Sequence, residues 1–154
     1  MHTYNETLVQ APADRCFRAA ADVERWPQIL PHYRYVRFQR RDGFGRGRVE
    51  MGAYRQFGPL RYPIWWASEM DSDSEAGVVR YRHVGGITRG MEVEWRIEEA
   101  DGGTLLSIVH DWKGRGWPLI GGFAASRVIG PHFIHVVAGR TLDGIKRAVE
   151  ADGA

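Results

Sequence analysis

Four polar side chains sit in stretches that otherwise alternate between apolar and polar residues: Arg55 in RVEMGAYRQF, Tyr81 and His83 in VVRYRHV, and His110 in TLLSIVHDW. Brought together in an apolar cavity, they have the types needed for proton abstraction beside a carbonyl group. A base removes the acidic proton between two carbonyls, and a cation or hydroxyl donor holds the enolate oxygen. His110 suits the base; Arg55 and Tyr81 suit the oxygen. Each histidine also makes sense without chemistry, as a wall residue that orients a ligand or bonds a neighbouring ring. His132 and His135 project to one side of a helix, yet no Asp, Glu or Cys stands at the helical spacings that would complete a metal site. No metal and no cofactor is therefore expected. His135 is placed at the edge of the cavity, and His132 at its mouth or on the surface.

The elements that must position these groups follow from pattern. TYNETLVQ alternates as a strand and stops at Ala11-Pro12, after which Cys16, Phe17, Ala20 and Ala21 are spaced for one buried helical face. A short helical segment over Val23 to Leu30 is limited by Pro27 and Pro31. From Tyr33 to Trp112, strand patterns separated by DGFG, DSDSEAG, GG and ADGG predict an antiparallel meander. GFGRG resembles a phosphate loop only superficially, because it joins two strands rather than opening a helix. Helical spacing returns from about Leu119, with Pro131 expected to bend the helix and the glycines of KGRGWPLIGG expected to hinge a lid over Lys113 to Gly122.

Alternation also assigns faces. Met91, Val93, Trp95 and Ile97 point one way in the sixth strand, and Val79, Tyr81 and His83 in the fifth. Leu106, Ile108, His110 and Trp112 do so in the seventh, with Ser107 and Asp111 turned to the outer face. Val49, Met51, Ala53, Arg55 and Phe57 share the inner face of the third strand, and Tyr62, Ile64, Trp66 and Met70 that of the fourth. On the long helix, Phe123, Ile134, Ala138, Leu142, Ile145 and Val149 share one side, while Ile129, Phe133, Val136 and Val137 form a second stripe. The catalytic candidates are thus His110, Arg55 and Tyr81. The ligand-binding candidates are Met51, Tyr62, Trp66, His83, Trp95, Trp112, Phe123 and His135.

The order of elements, with LVQAPADRCFRAAADVERWPQILPHYRYVRF, GMEVEWRI and IGPHFIHVVAGRTLDGIKRAVE, resembles the START-like helix-grip (SRPBCC) superfamily. Within it the chain is most similar to the polyketide cyclase/dehydrase branch and the coenzyme Q-binding proteins. The resemblance covers essentially the whole chain. It implies an α+β fold in which a seven-stranded curved antiparallel sheet grips a long C-terminal helix, with two short helices after the first strand. It also implies an apolar tunnel that holds a polyketide, a quinone or a lipid. Some members are cyclases and others carry a ligand without chemistry, so two functions stay open: a polyketide cyclase/dehydratase, or a noncatalytic lipid or quinone carrier.

Size and charge agree with a single domain spanning residues 1–154. A net charge of +2, with 21 basic residues scattered among 19 acidic ones, argues against a nucleic-acid partner. The single cysteine, Cys16, excludes an internal disulfide and suits a reducing compartment. The N-terminus lacks a signal-peptide pattern and no apolar run is long enough to span a bilayer, so a cytoplasmic protein without stable membrane insertion is expected, as monomer or homodimer.

Overall fold

The computed structural model describes residues 1–113 and 130–153. Strand β1 (His2–Val9) leads into helix α1 (Ala13–Ala21), a 3₁₀ turn (Val23–Arg25) and a one-turn helix α2 (Trp26–Ile29). The meander follows as β2 (Tyr33–Gly43), β3 (Arg46–Phe57), β4 (Leu60–Asp73), β5 (Val78–Gly86), β6 (Met91–Ala100) and β7 (Gly103–Trp112), and helix α3 (Pro131–Ala151) ends the chain. The strands form one seven-stranded sheet in the order β1-β7-β6-β5-β4-β3-β2, antiparallel throughout. This is the helix-grip arrangement, with α3 lying against β1, β7, α1 and α2.

Side-chain alternation builds the core as expected. Met91, Val93, Trp95 and Ile97 of β6 are buried, while Glu92 and Arg96 between them face water. The outer face is held by cross-strand ion pairs such as Arg80–Glu94 at 2.9 Å, from residues directly opposite in the ladder. Ser107 departs from this rule: it lies on the outer face and is nonetheless buried. GFGRG forms the β2–β3 hairpin, with Gly43 opposite Arg46. Cys16, Phe17, Ala20 and Ala21 form the buried face of α1.

Pro131 corrects an expectation. Instead of bending a longer helix from within, it opens α3, and Gly130 caps the helix in an extended conformation. Proline is well suited there, because an N–H of the first turn would have no intrahelical partner in any case. Leu119, Phe123, Ile129 and, apart from Lys113, the expected lid segment lie outside the described residues.

Two glycines of α3 make opposite demands. A methyl group at Gly139 would meet Asn5 Nδ2 at an ordinary 3.6 Å, so Gly139→Ala should stabilise the protein by about 0.5–1 kcal/mol through reduced backbone entropy. A methyl at Gly144 would run into Cδ2 of the fully buried Leu30, and Gly144→Ala should cost roughly 1–3 kcal/mol. Urea denaturation of both variants tests this contact between α2 and α3. Equal stability of the two would contradict it.

Candidate functional site

Aromatic side chains from four parts of the chain meet between the sheet and α3. Trp26 of α2 has its ring centroid 5.2 Å from Tyr33 and 5.5 Å from Trp95, and Tyr33 lies 6.0 Å from Trp66. Trp26 is nearly inaccessible to solvent, and its Nε1 donates to the Ala19 carbonyl oxygen at 3.1 Å, which ties the start of α2 to α1 and fixes it as a wall. Rings of this size do not tile a concave sheet without gaps. They leave a cavity of about 80 Å³, closed on the helix side by Phe133, Ile134, Val137, Ala138 and Thr141. A polycyclic ligand needs on the order of 300 Å³ or more. Its entry therefore requires the lining rings to change rotamer or α3 to shift.

Tyr81, His83 and His110, polar groups of the cavity, stand on β5 and β7, the two strands that flank β6. Tyr81 of β5, Val93 of β6 and His110 of β7 are partners in one row across the sheet, so Tyr81 and His110 stand one strand apart on the same face. His83 lies two residues beyond Tyr81. Its ring stacks on Trp66 at 5.9 Å and 18°, and its Nδ1 is 2.6 Å from Thr88 Oγ1. The turn that delivers Thr88 begins at Gly86, whose φ of +81° is unfavourable for other residues. At that position a Cβ would also collide with the Trp65 carbonyl.

Burial governs the electrostatics. It pushes His83 down to about 3, with the nearby His110 adding in the same direction, and it pushes His110 down to about 4 against a small opposing effect of Asp111. Both rings are neutral at physiological pH. Burial also raises the Tyr81 phenol well above its ordinary value, keeping it a protonated donor. Tyr81 Oη and His110 Nδ1 are buried and have no hydrogen-bond partner among the described residues. Such unpaired groups cost free energy unless a ligand or ordered water completes them. The site thus offers a neutral imidazole and a phenol hydroxyl inside an apolar box. Together they can receive a proton and donate to a carbonyl or enolate oxygen.

The residues expected from the sequence divide into three groups. Met51, Trp66, Tyr81, His83, Trp95 and His110 line the cavity together. Arg55 stands outside the lining, partly buried, with its guanidinium 4.4 Å over the ring of Phe133, and that desolvation lowers its pKa. Three candidates are corrected. Tyr62 is opposite Arg55 in the ladder and 56% exposed, because the β3–β4 hairpin runs past the end of the cavity. Trp112 ends β7 and gives its Nε1 to the Arg89 carbonyl at 3.2 Å, away from the cavity. His135 faces solvent, and its carbonyl accepts from Asn5 Nδ2 at 3.1 Å, since α3 turns Ile134 and Ala138 inward. His132 is exposed. Phe123 lies outside the described residues.

Sequence reasoning missed Trp26, Tyr33, Thr88 and Thr141 as cavity residues. The 134, 138, 141 spacing on α3 would have found Thr141. Thr88 carries no periodic signal because it sits in a turn. Among the described residues no three His, Cys, Asp or Glu converge as a metal site requires, and no helix is long and apolar enough to cross a membrane.

Two Streptomyces proteins, each named "Putative polyketide cyclase", are similar in sequence. The one from Streptomyces cyaneus is 29% identical over 113 residues, 72% of either chain. That from Streptomyces halstedii is 30% identical over 112 residues, 68% of this chain and 94% of the relative. The crystal structure of Zhui aromatase/cyclase from Streptomyces sp. R1128 superposes with a TM-score of 0.78 at 22% identity, covering 100% of this chain and 96% of the other, which shows a shared fold. Residues 9–128 match the family described as polyketide cyclase / dehydrase and lipid transport, and the chain belongs to that family.

Proposed function

We propose that the protein binds a flat, mostly apolar molecule carrying keto or phenolic oxygens, and that it promotes cyclisation or dehydration of a polyketide-like chain. The observation that carries this reading is the pair of buried, unpartnered polar atoms, Tyr81 Oη and His110 Nδ1, in a cavity otherwise walled by aromatic and aliphatic side chains. In this reading the neutral His110 takes the acidic proton between two carbonyls, and Tyr81 donates to the oxygen on which charge develops. His83, held by Thr88 and stacked on Trp66, orients the ligand. Arg55 acts from outside the lining, through its packing on Phe133. The similarity to proteins named polyketide cyclases supports the substrate class.

One observation favours a second reading, noncatalytic carriage of a lipid or quinone. Burial that lowers His110 to about 4 also weakens it as a base. Turnover of a synthetic poly-β-ketone separates the two. An enzyme should lose about 100-fold or more in kcat on His110→Gln with little change in ligand affinity, and its rate should be flat from about pH 6 to 8. Saturable binding without turnover of any poly-ketone would select the carrier.

A further inference from the structure

A second concavity lies at the edge of the sheet, where the C-terminal half of α3 passes β3 and the loop after α2. Its volume is about 490 Å³, and Tyr54, Arg61, His32, Arg140 and Arg147 line it. Arg140 and Arg147 are seven residues apart, two helical turns, and so share one face of α3. From the opposite wall Arg61 places its guanidinium 4.1 Å over the ring of Tyr54, and Arg34 approaches the same ring at 5.2 Å. Asp143 is the sole carboxylate in the lining.

Several arginines elsewhere on the sheet surface are matched with carboxylates, among them Arg37 with Glu50, Arg40 with Glu69, Arg46 with Asp71 and Arg80 with Glu94, although Arg82 has no such match among the described residues. Among the described residues, Arg34, Arg61, Arg140 and Arg147 have no such ion pair. Like charges converging on one concavity repel one another unless an anion sits between them. The charge of Arg140 reaches into the cleft strongly enough to join burial in lowering the His32 imidazole to about 4. His32 is therefore a neutral ring. Thr141 Oγ1 gives its proton to the Val137 carbonyl oxygen at 2.8 Å, so His32 must donate from Nε2 to Thr141 Oγ1 at 3.0 Å.

We infer that this cleft is a phosphate-binding site, in which Arg61, Arg140 and Arg147 hold the oxygens of a phosphate ester and Tyr54 supports the Arg61 guanidinium. Planar guanidinium forks suit phosphate geometry, and three of them converging from two walls give more than a diffuse attraction. The phosphate belongs either to a soluble ester or to a lipid headgroup; the chemistry is common to both. The cleft and the cavity share no lining residue among the described residues; they touch through His32, which bonds Thr141 and lies 4.9 Å from the ring of Tyr33.

The test is a titration of inorganic phosphate into isotope-labelled protein at constant ionic strength, followed by NMR of the arginine side chains. Saturable shifts at Arg61, Arg140 and Arg147 are expected, with affinity about tenfold or more weaker in Arg61→Gln/Arg147→Gln. Tyr81→Phe should bind phosphate as the unsubstituted protein does, so failure of the cavity reading leaves this result untouched. In a second arm the protein is sedimented with phosphatidylcholine vesicles with and without phosphatidic acid. Sedimentation that requires phosphatidic acid and is competed by free phosphate assigns the site to a headgroup. Phosphate binding without sedimentation assigns it to a soluble ester. Shifts that never saturate, an unchanged affinity in the double variant, or sedimentation that free phosphate does not compete would each overturn the proposal.

Discussion

Lowering the pH from 7 to about 5 is expected to remove several kcal/mol of stability, well before the carboxylates protonate. His83 is held at about 3 in the folded protein against an ordinary value of 6.5, and His32 and His110 are held at about 4. Above pH 6.5 both the folded and unfolded chains carry these rings neutral, and no difference arises. Below it the unfolded chain takes up protons that the folded one refuses, so stability falls continuously until the folded values are reached. Holding the fully buried His83 at about 3 corresponds to roughly 5 kcal/mol once the pH has fallen to its folded value. That is a large share of a typical 5–15 kcal/mol. Glu50, Glu94 and Glu150 are shifted down by their hydrogen bonds, so their contribution is present above about 4.5 and is lost only below it. The window from pH 6.5 to 5 isolates the histidines. Urea unfolding across it should show a steep slope that His83→Gln reduces; a flat profile would contradict the neutral, buried assignment.

Trp95→Ala should cost about 3–5 kcal/mol. Trp95 is 3% exposed, stands on the interior strand β6 opposite both Val79 and Ile108, and supports Trp26 at 5.5 Å. Its removal would enlarge the cavity and free the ring that anchors α2. Trp95→Phe should lose much less, because it keeps a ring in the same place. Thermal and urea denaturation check both. A loss below about 1 kcal/mol for the alanine variant would mean that the aromatic cluster collapses into the gap and does not hold the cavity open.

The strand rows of this fold were legible because their alternation is regular. β5 and β6 read correctly from VVRYRHV and MEVEWRIEE, and these strands carry Tyr81, His83 and Trp95 into the cavity. Alternation gives the side of a sheet on which a residue stands. It does not say what covers that side. Tyr62 therefore has the expected direction but lies beyond the cavity, and Trp112 sits past its end. Trp26 and Tyr33 flank prolines in an irregular segment without a period to read, and only their packing on Trp95 and Trp66 reveals their role. Pro131 is compatible with both a bend and a helix start, and the Gly130 before it decides for the start. The basic cleft was invisible because its arginines come from β2, the β3–β4 hairpin and α3, far apart in a chain whose net charge is only +2.

The most direct measurement is a titration of a polycyclic aromatic ketone into the protein, read by the emission of Trp26, Trp66 and Trp95, which all line the cavity. Saturable quenching at one ligand per chain is predicted for a ketone that also carries a phenolic hydroxyl, about tenfold or more weaker in Tyr81→Phe, where the ligand carbonyl loses its buried donor, and in His110→Leu, where the ligand hydroxyl loses its buried acceptor. Quenching that fails to saturate, or an affinity indifferent to both substitutions, would contradict a ligand site built on these two unpaired groups.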